Sequence, residues 1–219
     1  MKKIFLVLIV ICFGVLFINA QTITGDEDAQ SWNDVQLTIP INKQFDFYTA
    51  LTLRFGKNVT RLNDGRYGVG IIYKLDKSWS FQPFYLFIDA RNSRSQFKAE
   101  HRLNLRVGYR FPFKRFGLSH RSAFEYRLRQ PQNSFRYRPS LTFDKDIPKS
   151  VVPKAKFFIS DEIFYDSILN KFSRNRFSIG ITKTITKKLS LDLFYMRQND
   201  GYSRPGDLNV IWASWKIKL

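Results

Sequence analysis

Arginine and glutamate recur at alternate positions in the segments that follow residue 99. Successive side chains of a β-strand point to opposite faces, so residues spaced by two share a face. A guanidinium group carries five donors in a planar fork and can bridge carboxylates on neighbouring strands. The candidate site is therefore an ionic network on one face of a sheet. Its members are Glu100, Arg102, Arg106, Arg110, Arg121, Glu125, Arg127, Arg136, Arg138, Glu162, Arg174 and Arg176.

The expected turn after Phe111 predicts how two of these segments pair. If Phe111 lies opposite Phe116, opposite charges come face to face, close enough for direct contact. The pairs predicted in this register are Glu100 with Arg127, Arg102 with Glu125, and Arg106 with Arg121. The last pair joins like charges, which is unfavourable unless a third group or an anion lies between them. Across a later hairpin, Glu162 is expected to meet Arg174 or Arg176.

Two functions are compatible with such a row of charges. In the first, the network fills the interior of a barrel and holds neighbouring strands in register without any ligand. In the second, the excess of arginine over carboxylate makes a net-positive channel or pocket. A narrow wall of low dielectric constant focuses that potential and favours small anions such as phosphate or carboxylate solutes. The sequence leaves both interpretations open.

Eleven stretches of alternating apolar and polar residues must position these side chains. Most are about ten residues long, the length that a tilted strand needs to cross a bilayer. They span residues 33–41, 45–56, 66–75, 78–89, 100–111, 116–129, 135–144, 155–165, 174–184, 189–197 and 207–219. The pattern predicts an all-β fold: an antiparallel transmembrane β-barrel of about 10–12 strands with an arginine-rich lumen. Bacterial barrels have an even number of strands, so either a strand lies within 21–31 or one segment is misread.

Short and long polar connections are expected to alternate between these segments. Outer-membrane barrels have such an asymmetry, with tight periplasmic turns and longer external loops. The short connections are 42–44, 76–77, 112–115 and 186–188, and the longer ones are 57–65, 90–99, 130–134, 166–173 and 198–206. The pattern predicts a barrel with one smooth end and one end that carries loops.

Alternation alone does not distinguish a membrane barrel from a soluble exported β protein that binds a ligand, because both give the same period. Two observations favour the membrane barrel. The segments are longer than the five or six residues usual in globular sheets. Aromatic residues also recur near segment ends, as they do at the two interfaces of a membrane. These residues are Tyr67, Trp79, Tyr109, Tyr126, Tyr195 and Trp215.

The first twenty residues have the composition of a secretory signal peptide. Lys2 and Lys3 precede an apolar stretch over 4–18, and Asn19-Ala20 supplies a small residue before the expected cleavage. The chain is therefore expected to comprise a signal peptide, 1–20, and one barrel domain, 21–219, in the outer membrane of a Gram-negative bacterium. The single cysteine lies in the part that is removed, which excludes disulfides and thiolate metal sites from the mature chain.

The formal charge of +18 and the 16% aromatic content raise the question of nucleic acid. The arginines, however, are spread singly over many segments of an exported chain, which argues against that partner. The expected partners are outer-membrane lipid and small anions, and the chain is expected to be a monomer. We expect neither a cofactor nor a metal, since the acidic tract at 26–28 lacks the alternating spacing of a calcium loop.

An enzyme needs a nucleophile aligned with a base, and only two histidines are available. His120 shares a face with Ser122, but the nearby Glu125 lies on the opposite face, so the three make a poor catalytic trio. His101 is placed at the external end of its segment, opposite Tyr126, with loop serines at 93 and 95 as conceivable nucleophiles. This arrangement keeps an outer-leaflet lipid hydrolase or deacylase as an alternative, although the pattern points more towards a protein without catalysis.

With these residues laid out, the chain resembles an uncharacterised family of Gram-negative outer-membrane barrels, domain of unknown function 2490. The resemblance covers nearly the whole mature chain. It rests on Trp32 between Asp28 and Asp34, on Arg136-Tyr137-Arg138, on Glu162 followed by Arg174 and Arg176, and on Tyr195 with Asn199-Asp200 in the closing hairpin. The resemblance implies a fold and a location but no reaction. The last segment also resembles the assembly signal of such barrels, although it ends on leucine rather than an aromatic residue.

Overall fold

The computed structural model describes residues 27–92 and 95–219. The signal peptide expected at 1–20, like Ser93, lies outside the described residues. Within them the chain forms eleven strands and no helix. The strands are β1 (Glu27–Pro40), β2 (Phe45–Gly56), β3 (Arg61–Lys74), β4 (Trp79–Arg91), β5 (Phe97–Arg110), β6 (Gly117–Leu128), β7 (Ser134–Asp146), β8 (Ala155–Asp166), β9 (Lys171–Thr184), β10 (Leu189–Asp200) and β11 (Asp207–Lys218). Accordingly, no helix long and apolar enough to span a membrane occurs in these ranges.

The eleven strands close into one barrel in which each strand pairs with its neighbours in sequence. These neighbours are all antiparallel, and the closing pair, β1 with β11, is parallel, with Trp32 opposite Trp212. A meander with an odd number of strands has its first and last strands in the same direction, so its closure must be parallel. The predicted all-β barrel of 10–12 strands is confirmed. All eleven expected segments are strands, and β1 extends into the region where a further strand was considered. The expectation of an even number of strands is therefore wrong for the described barrel.

The barrel is apolar outside and charged inside, as the alternation predicts. Leu103 is 55% exposed and Leu51 is 50% exposed on the outer wall, whereas Glu125 and Arg102 retain only 2% and 6% exposure inside. Backbone hydrogen bonds around the closed wall and polar contacts within the lumen hold this sheet together. A buried apolar cluster of Trp32, Met196, Leu208 and Val210 packs inside the barrel beside the charged residues.

A belt of aromatic rings surrounds part of the outer wall. Nine rings form a continuous chain of contacts from β2 to β7, with neighbouring ring centroids between 4.6 and 6.5 Å apart. The chain runs through Phe45, Tyr73, Phe81, Trp79, Tyr109, Phe111, Phe113, Phe116 and Phe143. These residues lie near the end of the barrel where β1 finishes, which we call the Pro40 end; the other is the Glu27 end.

The predicted alternation of short and long connections is wrong. The connections at the Glu27 end are 57–60, 92–96, 129–133, 167–170 and 201–206, and those at the Pro40 end are 41–44, 75–78, 111–116, 147–154 and 185–188. The strands continue through residues that were assigned to loops, because charged and polar side chains at strand ends are accommodated by solvent or by the lumen. Both ends of the barrel are therefore tightly connected, and the longest connection, 147–154, is at the Pro40 end.

Two glycines allow aromatic side chains to meet over the inner wall. Gly180 on β9 lies between Phe158 on β8 and Phe194 on β10, whose ring centroids are 5.5 Å apart in an edge-to-face contact. A Cβ atom on Gly180 would lie 2.2 Å from the Cβ of Phe194. On β3, Gly70 takes the same place between Tyr48 and Phe84. The absent side chains thus make room for two aromatic pairs.

Candidate functional site

The lumen has a filled half and a hollow half. Towards the Glu27 end its side chains are buried: Trp32 and Phe164 are each 1% exposed, Glu125 is 2% exposed and Arg127 is 5% exposed. We call this filled half the ionic plug. Its charged members are Asp64, Arg54, Arg66, Glu100, Arg102, Glu125, Arg127, Arg136, Arg138, Glu162, Asp166, Arg174, Arg176 and Asp200.

Glu100 and Glu125 link β5, β6 and β7 within the plug. Glu100 accepts hydrogen bonds from the Nε atoms of Arg102 and Arg127, both at 2.6 Å. Glu125 accepts one from Arg102 Nη1 at 3.1 Å and another from Arg138. Each carboxylate is thus shared between two guanidinium groups, which compensates the cost of burying both kinds of charge.

The register predicted for β5 and β6 is wrong by two residues. Arg102 lies opposite Arg127, not Glu125, and Arg106 lies opposite Ala123. The two expected ion pairs nevertheless form, because an arginine side chain is long enough to reach a diagonal neighbour. A spacing of two residues places side chains on the same face of a strand. It was therefore sufficient to predict the ion-pair partners, but not the register of β5 with β6.

Glu162 on β8 is the junction between the plug and the hollow half. Arg138 Nη2 donates to its two oxygens at 2.9 and 3.0 Å, and Arg121 Nη2 donates to Oε1 at 2.7 Å. Arg176 lies opposite Glu162 across the hairpin, with Nη1 3.9 Å from Oε2. Arg174, the alternative partner, pairs with Asp200 instead.

Three carboxylates of the plug were not identified from the sequence. Arg136 Nη2 is 2.8 Å from Asp166, Arg174 pairs with Asp200, and Arg66 makes two hydrogen bonds to Asp64 at 2.7 and 2.8 Å. Each of these aspartates lies on the lumen face of its strand, and Asp166 shares that face of β8 with Glu162. Extending the alternation to the strand ends would have identified Asp166 and Asp200, two residues that the sequence pattern assigned to loops.

Aromatic rings separate the guanidinium groups where carboxylates are lacking. Arg54 Cζ lies 3.3 Å from the ring centroid of Trp32, and Arg176 Cζ lies 5.0 Å from the same ring and 4.7 Å from that of Phe164. Arg138 Cζ is 4.5 Å from Phe164. The negative face of an aromatic ring attracts a cation, more strongly when both are desolvated. Trp32 and Phe164 therefore allow neighbouring arginines to be buried together.

One further arginine lies at the mouth of the filled half, close to Arg127, Glu100 and Asp166. Arg129 lies in the connection 129–133, outside the strands, near Arg127. Burial and the like charge of Arg127 lower the pKa of Arg129 from its ordinary value.

The hollow half is a cavity of about 560 Å³ that faces the Pro40 end. We call it the vestibule. Nine cationic side chains and five carboxylates line it, so its wall is net positive. The cationic residues are Arg54, Arg66, Arg106, Arg110, Arg121, Arg138, Lys156, Arg176 and Lys216, and the carboxylates are Asp34, Glu125, Asp144, Glu162 and Asp192. The lining residues that also belong to the ionic plug form the inner end of the vestibule.

Arg106 and Arg121 are diagonal neighbours on β5 and β6 in this wall. Arg106 makes no ion pair with a carboxylate of the described residues, and its Cζ lies 4.3 Å from the ring centroid of Phe84. Arg121 lies opposite Gly108, two positions along β6 from Ala123, the partner of Arg106, and its side chain is 42% exposed. Arg110, 50% exposed, follows on β5 and pairs with Asp144 at 3.2 Å. The side chains of Arg106 and Arg121 thus share a cavity with donors to spare.

The histidine expected at the rim is on the outer wall and bonded to a tyrosine. His101 Nδ1 is 2.5 Å from the hydroxyl of Tyr85. Its partner across the strand is Leu128, so the predicted pairing with Tyr126 is wrong. Ser95 Oγ accepts a hydrogen bond from Arg61 Nη1 at 3.0 Å. The structure therefore does not bring His101 and Ser95 into a hydrogen-bonded pair.

His120 and Ser122 also lie on the outer wall. His120 Nε2 and Ser122 Oγ are 3.0 Å apart, and Ser122 Oγ is 3.1 Å from the hydroxyl of Tyr137. Glu125 lies inside the barrel, as the alternation predicted. A serine and a histidine are thus in contact, but among the described residues no carboxylate bonds to the imidazole as a catalytic triad requires.

The acidic tract near the start of β1 is used within the fold. Asp28 accepts hydrogen bonds from the backbone amides of Lys57 and Asn58 at 2.9 and 2.8 Å, and Glu27 pairs with Arg197 at 2.8 Å. The remaining residue of the tract, at position 26, lies outside the described residues. Across the described ranges, no group of three or more histidine, cysteine or acidic residues is arranged to hold a metal ion.

The fold and the interior define a closed, porin-like β-barrel with an ionic lumen. The chain belongs to the family described as Protein of unknown function (DUF2490), whose model matches residues 29–209. The resemblance drawn from the sequence is thereby confirmed. A search of curated proteins finds no match.

Two solved porins have a similar structure. A NanC porin is 12% identical, with a TM-score of 0.51, and the match covers 88% of this chain and 99% of that one. An anion-selective porin from Comamonas acidovorans is 10% identical, with a TM-score of 0.42, and the match covers 80% of this chain and 54% of that one. At such low identity the likeness to the NanC porin concerns the fold alone.

Proposed function

We propose that this protein is a monomeric outer-membrane barrel whose vestibule binds small anions. The vestibule opens towards the Pro40 end, and the ionic plug closes the lumen towards the Glu27 end. In this conformation the barrel is an anion-binding protein with a structural plug rather than an open diffusion pore. The observation that carries the proposal is a cavity lined by nine cationic side chains and only five carboxylates.

The outer wall supports the membrane location. Leu103, Leu51 and Ile71 project from it with 43–55% of their surface exposed, a costly arrangement in water and a favourable one in hydrocarbon. The belt of nine aromatic rings from Phe45 to Phe143 follows one end of the barrel, where an interfacial girdle would lie. Export through the segment at 1–20 would deliver such a barrel to the outer membrane.

The electrostatics of the vestibule support anion binding. Arg106 lacks a carboxylate partner within the described part of the chain, and Arg121 shares its single partner, Glu162, with Arg138 and Arg176. An anion between Arg106 and Arg121 would accept charge-assisted hydrogen bonds from both. The repulsion between the two guanidinium groups would then be offset by the attraction of each group to the anion. The apolar wall of the barrel strengthens this effect because it confines the field to the lumen.

Binding of inorganic phosphate to purified protein in detergent tests the anion site. We expect calorimetric binding by the wild type and a loss of at least about tenfold in affinity for Arg106→Gln or Arg121→Gln, since a hydrogen bond to a charged group contributes about 1.5–3 kcal/mol. Arg197→Gln, which alters an arginine on the outer wall, is the matched control and should bind normally. No phosphate binding by folded wild type, or equal binding by all four proteins, would contradict the proposal.

Planar-bilayer recording tests the plug. We expect the wild type to insert and to give no large, steady porin-like current, because buried ion pairs fill the Glu27 half. A large open-channel current from the wild type would show that the plug does not close the barrel.

Protein that stays in solution without detergent would contradict the membrane location.

A further inference from the structure

We propose that the vestibule selects anions that carry an apolar ring, and that it binds aryl carboxylates more tightly than carboxylates without a ring. This inference rests on the proposed function, because it specifies the ligand class of the same cavity. It follows from the position of an aromatic wall relative to the cationic wall that contains Arg106 and Arg121.

The aromatic wall consists of Phe158, Phe194 and Trp212. All three line the vestibule, and all three are only partly buried, so that ring surface is available to a ligand. The centroids of Phe158 and Phe194 are 5.5 Å apart, and those of Phe194 and Trp212 are 5.1 Å apart and stacked. Three rings thus form one continuous apolar surface over β8, β10 and β11.

Gly180 makes this surface continuous. It occupies the strand between Phe158 and Phe194, directly opposite both in the register. A side chain at this position would collide with Phe194 Cβ at 2.2 Å and with the carbonyl oxygen of Leu193 at 2.5 Å. Because the glycine has no side chain, Phe158 on β8 and Phe194 on β10 approach each other over β9.

The aromatic wall faces the cationic wall across the lumen. Arg106 and Arg121 lie on β5 and β6, whereas Phe194 and Trp212 lie on β10 and β11. In a closed barrel of eleven strands, β5 and β10 are five places apart in one direction and six in the other, so they are diametrically opposed. The four residues line the same cavity. The cavity therefore places a patch of ring surface opposite Arg106 and Arg121. Lys156 and Lys216 line the same side, nearer the Pro40 end of β8 and β11.

A ligand with matching polarity would gain from both walls. Its carboxylate would accept hydrogen bonds from Arg106 and Arg121, and its ring would pack on Phe194 and Trp212, where aromatic pairs prefer offset or edge-to-face contacts. An ordinary inorganic anion would use the cationic wall only. A volume of about 560 Å³ is within the range of small-molecule sites and exceeds the need of an inorganic anion.

The test compares acetate, benzoate and benzamide by calorimetry with folded protein in detergent. We expect benzoate to bind at least about tenfold more tightly than acetate, the gain that one additional apolar group brings in a hydrophobic pocket. Benzamide, which has the ring without the charge, should bind more weakly than benzoate. Equal affinities for acetate and benzoate in the wild type would overturn the inference, and this result needs no variant.

Variants locate the preference. Phe194→Leu and Phe158→Leu should reduce the ratio of benzoate affinity to acetate affinity, whereas Phe81→Leu on the outer wall should change the affinity for neither ligand. Arg121→Gln should weaken both ligands. A ratio unaffected by both inner phenylalanine variants would overturn the inference. Failure of every anion, phosphate included, would instead contradict the proposed function, so the two failures are distinguishable.

Discussion

Arg138 donates two hydrogen bonds to Glu162 from the neighbouring strand, at 2.9 and 3.0 Å, at the level where the filled half of the lumen meets the vestibule. The same guanidinium group also donates to Glu125. Arg138 therefore belongs to both halves: it completes the ionic plug and forms the inner end of the vestibule. Its charge is compensated twice, whereas Arg106, farther out, has no carboxylate partner among the described residues.

Loss of charge at Glu162 should destabilise the barrel. Glu162→Gln preserves the shape of the side chain but leaves Arg138 and Arg121 without their shared anion, and removal of one partner from a buried ion pair costs about 3–5 kcal/mol. We expect a lower midpoint in urea unfolding followed by heat-modifiable gel mobility. Asp146→Asn is the control, because its side chain is 82% exposed. Identical midpoints for the two variants would show that Glu162 does not stabilise the plug.

The two buried arginines Arg138 and Arg176 should differ in their contribution. Arg138→Met leaves Glu125 and Glu162 without their main cation. Arg176→Met removes a contact to Glu162 at 3.9 Å and one hydrogen bond to Gln198, and places an apolar side chain near Trp32. Replacement of a weakly paired buried charge by an apolar group is often close to neutral. We expect Arg138→Met to lower the free energy of unfolding by at least about 2 kcal/mol more than Arg176→Met, as measured by urea titration. The reverse order would contradict this assignment.

Gly180→Ala should destabilise the inner wall. The new Cβ would lie 2.2 Å from Phe194 Cβ and 2.5 Å from a backbone carbonyl oxygen, so the strand or the ring must move. Overpacking of this kind costs about 1–3 kcal/mol. Gly65→Ala on β3 is the matched control, because its nearest neighbour would be 3.9 Å away. Thermal unfolding in detergent compares them, and equal stability would disprove the close approach.

An arginine on the outer wall should impair membrane insertion. Leu103 lies in the middle of β5 and is 55% exposed, and an arginine near the midplane of a bilayer costs about 2–4 kcal/mol. We expect Leu103→Arg to fold less completely into lipid vesicles than the wild type. Val151→Arg, in the connection 147–154, should fold normally, since that residue is 70% exposed at one end of the barrel. Normal insertion of both variants would argue for an outer wall in water.

The alternation of residue types was sufficient to predict the strands and their two faces. Successive side chains of a strand point to opposite faces, so alternating apolar and charged residues give the sheet one apolar and one charged face. It could not fix the pairing of β5 with β6. Arg102 and Glu125 interact equally well when directly opposite or when diagonal, since the guanidinium group reaches both positions. A register inferred from ion pairs of long side chains is therefore uncertain by two residues.

The plug was only partly predictable. Residues such as Arg136 and Glu162 lie within clear alternating stretches, whereas Asp166 and Asp200 occupy strand ends that resemble loops in composition. The stacking of Arg54 on Trp32 is a cross-strand contact of the β1–β2 hairpin, but the contacts of both residues with Trp212 follow from the closure of the barrel, which no local pattern encodes. The division of the lumen into plug and vestibule likewise depends on how eleven strands are staggered around one axis.

The parallel pair of β1 and β11 joins residues that are 180 positions apart in the chain, such as Asp34 and Ser214. Until this seam forms, the curved sheet has two free edges, each able to pair with another chain. Contacts between such distant residues form slowly, because the chain loses the entropy of closing a long loop before the contacts can stabilise the structure. Trp32 and Arg54 come to lie against Trp212 only when the seam closes. Dehydration of the charged interior is thus coupled to the last step of assembly, and an unsealed sheet would keep its arginines in water.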